Sequence, residues 1–157
     1  MKILEKLEWN KITEEVQNNA ITELGKELCF SMPILNDIEK IQIELNLTDE
    51  AKKLSDSMLL PPINSINNIE KIINEAKINR ILTEAEILET IKCLKISRLI
   101  NGFFSRNQDV APNLSEIAVN LYENKEFEEK ISDFFTEAGH LKPGNMQHCT
   151  GFPVPMS

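Results

Sequence analysis

The sequence is poor in glycine and cysteine, and neither residue type forms a motif that carries chemistry. Its five glycines, at positions 25, 102, 139, 144 and 151, build neither GxxxxGK followed by Ser or Thr nor GxGxxG, the loops that cradle phosphates. This argues against a self-contained ATPase or dinucleotide enzyme. The three cysteines, Cys29, Cys93 and Cys149, are odd in number and widely spaced, so we expect free thiols instead of a disulfide framework.

Histidine is equally scarce. The two histidines, His140 and His148, lie near the end of the chain, and with Cys149 they form a ligand cluster whose spacing matches no zinc pattern. Residues 1–139 contain no histidine that could act as a general base. We therefore predict no catalytic, cofactor-binding or metal-ligating residue in this chain, and whether it is an enzyme stays open.

The chain has no long apolar run and no excess of positive charge. No stretch approaches the roughly 20 residues that cross a bilayer, and Glu5 and Glu8 come too early for a secretory signal, so we expect a cytoplasmic protein without a membrane partner. A formal net charge of −8 argues against autonomous nucleic-acid binding, which needs basic residues to neutralise phosphates.

Helical spacing of apolar residues and helix-capping signals recur along the chain, whereas strand-like alternation does not. We predict an all-α, multi-helix domain with two long amphipathic helices, at about 38–58 and 84–104. Thr83 and Glu86 form a capping box for the second, and Pro61 and Pro62 stop the first. The predicted helix starts are Asn10, Thr22, Asn36, Asn67 or Asn68, Thr83, Asn113 and about Lys125.

The two long helices each carry a predicted apolar face. On the first, the face consists of Ile38, Ile41, Leu45, Thr48, Ala51, Leu54 and Met58. On the second, it consists of Ile87, Leu88, Ile91, Leu94, Ile96, Leu99 and Phe103. Trp9, next to Leu4 and Leu7, is interpreted as a packing anchor.

Composition changes after Gly139, which fits the C′ position of a last helix. Residues 140–157 contain no acid, both histidines and three of the seven prolines. We predict a helical domain over 1–139 and a disordered or non-native tail over 140–157.

Charged residues are interpreted as ordinary surface groups. Adjacent acids such as Glu14–Glu15 and Glu128–Glu129 are expected on solvated helix faces. The basic residues that could contact phosphate are expected to pair locally with glutamates such as Glu89. They are Lys52, Lys53, Lys77, Arg80, Lys92, Lys95, Arg98 and Arg106.

The order of segments carries a resemblance. A start at Leu4–Ile12 leads to the stretch TELGKEL at 22–28, then TDEA at 48–51, LPPI at 60–63 and ILTEAEIL at 81–88. Over about residues 1–139, this order resembles the N-terminal core, or lever, of the second bacterial MutS family, whose members carry a C-terminal Smr nuclease domain. The chain departs from the family at 64–68, where a glycine-containing turn is replaced, and at 140–143, which has no counterpart.

The resemblance implies a lever that transmits the state of an ATPase to a DNA clamp. The family's members are dimeric ATPases and endonucleases, linked to mismatch repair-related suppression of recombination and to rescue of collided ribosomes, and they use ATP and Mg²⁺. The partners implied here are the rest of such a polypeptide, its dimer mate, and DNA or ribosomes bound elsewhere. The alternative is a free-standing helical interaction module, and an autonomous enzyme is the weakest hypothesis.

Overall fold

The computed structural model describes residues 8–63, 66–135 and 142, and these residues form α-helices and no strand. The predicted all-α class with two long helices is confirmed. The predicted tail and the boundary after Gly139 lie outside the described residues, apart from Lys142. The helices are α1 (Trp9–Asn19), α2 (Glu23–Phe30), α3 (Ile38–Asp56), α4 (Glu70–Lys77), α5 (Glu84–Arg106), α6 (Pro112–Ala118) and α7 (Lys125–Ser132).

Two predicted N-caps are confirmed. The Thr22 hydroxyl accepts a hydrogen bond from the Gly25 backbone N–H at 3.0 Å. In the capping box, the Thr83 hydroxyl accepts from the Glu86 N–H at 3.3 Å, and the Glu86 carboxylate accepts from the Thr83 N–H at 2.7 Å. Each cap satisfies backbone donors that the first helical turn leaves without partners.

Three predicted starts are wrong by one or two residues. Helix α1 begins before Asn10, because the carbonyl of Glu8 already accepts from the N–H groups of Lys11 and Ile12. Helix α3 is capped by Asp37, whose carboxylate reaches the Glu39 and Lys40 N–H groups, and not by Asn36. Helix α6 begins at Pro112 and not at Asn113. Proline suits the first helical position because it has no N–H group that needs a partner.

The remaining boundaries are set by local turns. The Asn68 side chain accepts from the Glu70 N–H at 2.9 Å where α4 begins, which confirms a start near this residue. Helix α3 ends at Asp56, and left-handed Met58 lets the Leu59 N–H reach the Leu54 carbonyl. Helix α7 ends at Ser132, well before Gly139, which lies outside the described residues.

The chain divides into two compact units. Unit 1 is drawn from Met1–Asn67 and Leu99–Leu121, and unit 2 from Asn68–Arg98 and Tyr122–Ser157. In unit 1, α1 packs on α2 and α3 packs on α6. The buried apolar residues of unit 1 are Leu54, Ile100, Phe104, Ala111 and Ala118. In unit 2, a cluster of Ile91, Ile131 and Phe135 is surrounded by half-buried Ile87, Leu88, Phe127 and Phe134.

The predicted apolar faces are buried only in part. On α3, Leu54 is buried, but Ile38 and Leu45 are exposed, as is Met58 beyond the end of the helix, so only part of the predicted apolar face is buried. On α5, Ile91 is buried and Leu99 is exposed, whereas Ile100 and Phe104, which the predicted face omitted, are buried. None of the described helices is long and apolar enough to cross a membrane.

Candidate interaction surface

The described residues hold no group of three His, Cys, Asp or Glu side chains that could bind a metal ion. His140, His148 and Cys149 lie outside them, so the absence of a metal site there stays a prediction. Cys29 and Cys93 are free thiols, as predicted. Burial raises the pKa of Cys93, which favours the protonated, less reactive thiol.

A partly buried ion pair joins α5 and α7 within unit 2. Arg98 donates from Nε to Glu128 Oε2 at 3.2 Å and from Nη2 to Glu128 Oε1 at 2.8 Å, and Glu128 is only 4% exposed. The hydrogen bond from Arg98 lowers the pKa of Glu128 despite burial. Two predictions are wrong here: Glu128 is not solvated, and Arg98 pairs with an acid thirty positions away instead of a local one.

A second buried carboxylate joins α3 to α6 within unit 1. Glu50 Oε1 accepts from the Asn113 backbone N–H at 3.1 Å and from its side-chain amide, and Oε2 accepts from the Leu114 N–H at 2.9 Å. Glu50 is 5% exposed and has taken the capping role predicted for the start of α6. This arrangement holds one helix end on another helix and leaves no free oxygen aimed at a ligand.

Arg80 is held by two acids in unit 2. It pairs with Glu75 of α4 and with Glu86 of the capping box. Hydrogen bonds from the Thr83 backbone and from Arg80 lower the pKa of Glu86 to about 2. Arg80 is thereby paired with two acids of the chain itself.

No described cavity gathers catalytic groups. An open surface depression of about 530 Å³ lies along one side of α4. Its lining residues are Asn68, Glu70, Lys71, Asn74, Glu75 and Ile78. Lys92 and Lys95 lie exposed on α5. The ion pairs of Arg80 and Arg98 described above connect structural elements of the chain.

The prominent feature is uncovered apolar surface. Among the described residues, nineteen large apolar side chains are exposed, including Phe30 at 80%, Ile38 at 82% and Ile81 at 86%. Three of the exposed apolar side chains of α3, Ile38, Ile43 and Leu45, lie in its first half, away from Glu50 and Leu54. Trp9 is half-buried, and its predicted neighbours Leu4 and Leu7 lie outside the described residues. Contiguous exposed apolar surface is a feature that contact sites on proteins share.

Comparison with known proteins gives a consistent set of relatives. Endonuclease MutS2 of Staphylococcus carnosus is 26% identical over 150 residues, which cover 88% of this chain and 19% of the relative. The Acetivibrio thermocellus protein of that name is 28% identical over 133 residues, or 83% of this chain and 17% of the relative. The Pelotomaculum thermopropionicum protein is 27% identical over 143 residues, or 91% and 18%.

The match covers most of this chain but little of each relative. No family model matches the chain. No solved structure matches it. The chain spans less than one fifth of the length of these curated relatives. The predicted resemblance to the second bacterial MutS family is confirmed: this chain is similar to a segment of Endonuclease MutS2.

Proposed function

We propose that this chain is a structural helical segment of a MutS2-like protein, equivalent to part of its core or lever, and performs no chemistry itself. The match to three relatives named Endonuclease MutS2, over 83–91% of the chain, supports the relationship. The structural role is supported by the ion pairs of Arg80 with Glu75 and Glu86 and of Arg98 with Glu128, which join different elements of the chain.

The observation that carries the proposal is the balance of buried and exposed apolar residues. In the described part of the chain, eight apolar residues are buried against nineteen large ones that are exposed. No large side chain there is completely buried. A domain of about this length that functions alone hides roughly 68–70% of its unfolded surface, so we infer that other protein covers these helices.

The finer function follows from the family resemblance. In this proposal the segment transmits the state of an ATPase to a DNA clamp, within a dimer in the cytoplasm. ATP, Mg²⁺, and DNA or ribosomes are bound by regions outside this chain. Suppression of recombination or rescue of collided ribosomes would then be a property of the complete protein.

An activity assay tests the absence of chemistry. The purified chain is incubated with supercoiled DNA, and separately with ATP, in the presence of Mg²⁺ or Mn²⁺, beside Endonuclease MutS2 of Staphylococcus carnosus. We expect neither DNA cleavage nor ATP hydrolysis by the chain. Cleavage or hydrolysis that co-elutes with the chain during size-exclusion chromatography would contradict the proposal.

A free-standing interaction module is the second candidate, favoured by the same exposed apolar residues. Binding to Staphylococcus carnosus Endonuclease MutS2 lacking the matched residues distinguishes the two. If the chain is a segment of a MutS2-like protein, we expect it to bind this truncated protein. If it is a free-standing module, we expect no binding. A monodisperse monomer that binds no hydrophobic dye would count against the module.

A further inference from the structure

One side of α3 carries a row of three isoleucine or leucine residues and one threonine, and three of these four residues are exposed. We define the α3 stripe as Ile38, Ile41, Leu45 and Thr48. Ile38 is 82% exposed and Leu45 is 57% exposed, while Ile41 is half-buried and Thr48 is exposed. The intervals of three, four and three residues are those of the a and d positions in a coiled-coil seam.

The contact of α3 with α6 lies on the other side of α3. Glu50 and Leu54, the buried residues of α3, lie on the same side of the helix as Leu47, in a row spaced by three and four residues. At about 100° per residue, this row is roughly opposite the α3 stripe. The α3 stripe is therefore free for a second helix while α6 stays in place.

The charges beside the α3 stripe restrict what can cover it. With Ile38 and Leu45 at a positions, Glu44 occupies a g position and Asp49 an e position, while Asp37 precedes the helix as its N-cap. The remaining e and g positions near the stripe hold Gln42 and Ala51, so these flanks carry acids and no base. Asp49 is paired with Lys53 and Asp37 caps α3, which leaves Glu44 as the main flanking charge.

A second copy of this chain does not suit this surface. Parallel pairing would place Glu44 against Asp49 of the other copy, and antiparallel pairing would place the acids of the g positions against each other. Like charges at these positions oppose association, whereas Lys or Arg at the flanks of a partner would favour it.

We propose that the α3 stripe binds an amphipathic α-helix whose residues flanking its apolar seam are basic. This inference rests on the proposed function and deepens it, because it specifies one surface through which other protein covers the segment. The partner helix lays its apolar residues along Ile38, Ile41 and Leu45, and a basic residue beside its seam faces Glu44.

Three designed peptides of about three heptads test the proposal against the full chain by fluorescence anisotropy. The first has Leu at a and d and Lys at e and g. The second replaces Lys by Glu, and the third keeps Lys but has Ala at a and d. We expect the first peptide to bind about tenfold or more tightly than either other peptide. Equal binding of the first and second, or of the first and third, would overturn the proposal.

Matched substitutions locate the binding site. Leu45→Ala is expected to weaken binding of the first peptide by about tenfold, since it removes apolar contact from the seam. Ile43→Ala is the control, because Ile43 is 56% exposed, nearly as much as Leu45, but lies on the opposite side of α3. Circular dichroism verifies that both variants remain helical. Equal weakening by the two substitutions would overturn the assignment to the α3 stripe.

Charge reversal and self-association complete the test. Glu44→Lys is expected to weaken the Lys-flanked peptide and to strengthen the Glu-flanked one. A dimer of the chain in sedimentation analysis that Leu45→Ala abolishes would show that a second copy covers the stripe, and would overturn the proposal. The peptides contain no MutS2 sequence, so their failure to bind would leave the activity and deletion assays of the proposed function unaffected.

Discussion

Glu50 and Glu128 are acids in the apolar rows of their helices, and each is buried and accepts hydrogen bonds from partly buried or exposed residues. Burial alone would raise the pKa of Glu50, but hydrogen bonds from Leu114 and Asn113 outweigh burial and lower it. The two carboxylates therefore stay charged and fix α3 on α6 and α5 on α7. Their neutralisation should loosen these contacts.

Glu50→Gln should weaken the contact between α3 and α6. In this variant one carboxylate oxygen is replaced by an NH₂ group, which cannot accept a hydrogen bond from Asn113 or Leu114. Leaving a buried donor without an acceptor costs about 1–3 kcal/mol of stability. We expect amide hydrogen exchange at Asn113 and Leu114 to accelerate by about ten- to a hundredfold. Glu116→Gln, at an exposed position of α6, is the control. Unchanged exchange in Glu50→Gln would show that this contact does not hold α6.

Stability should fall in acid. Because the pKa values of Glu50, Glu86 and Glu128 are lowered in the folded chain, the unfolded chain takes up protons first as the pH drops. Their stabilisation is thus complete above the ordinary value of 4.5 and is lost towards lower pH, down to about 2 for Glu86.

These three carboxylates stay charged between about pH 7 and pH 5.5, so the thermal midpoint, followed by circular dichroism, should change little there. Below this range it should fall. Glu86→Gln should reduce the fall between pH 4.5 and about 2. Glu14→Gln, at an exposed position of α1, should leave the fall in thermal midpoint the same as in the unsubstituted chain. A midpoint that does not decrease below pH 4.5 would contradict the lowered pKa values.

The buried acids were open to prediction in part. Glu50 follows Leu47 by three residues and precedes Leu54 by four, and Glu128 precedes Ile131 by three residues and Phe135 by seven. Helical spacing thus places both acids in apolar rows. Their partners, Asn113 and Arg98, are distant along the chain, so spacing within one helix could not identify them.

At the scale of the helices, local residue patterns predicted where helices form. Which side chains of a helix are buried depends on the elements that pack against it. The capping box at Thr83 and the N-cap at Thr22 follow from a few adjacent residues, and both form. The exposure of Ile38 and Leu45 could not be predicted, because periodicity identifies an apolar face but not whether another element covers it.

Ile91→Ala should disrupt the packing of α5 against α7. Ile91 is 5% exposed and clusters with Ile131 and Phe135, so its truncation leaves a cavity that costs about 2–5 kcal/mol. We expect the amide protection of α7 to collapse. Leu99→Ala, at a position 47% exposed on the same helix, should retain it. Equal loss of protection in both variants would show that the cluster does not hold α7.

At the scale of the whole molecule, the ordered set of segments carried the family resemblance, and no single site did. TELGKEL at 22–28 and ILTEAEIL at 81–88 correspond to capped helix starts in the structure. The role of the complete protein cannot be predicted from these segments, since the chain spans less than one fifth of its relatives.

The central claim is that this segment needs other protein to cover its apolar helices, and urea unfolding of the isolated chain tests it most directly. Small domains with their own core give a slope of about 1–3 kcal/mol per molar urea. We predict a helical far-UV spectrum, a slope below about 1 kcal/mol per molar urea, and binding of a hydrophobic dye before unfolding. A steep, cooperative transition without dye binding would contradict the account.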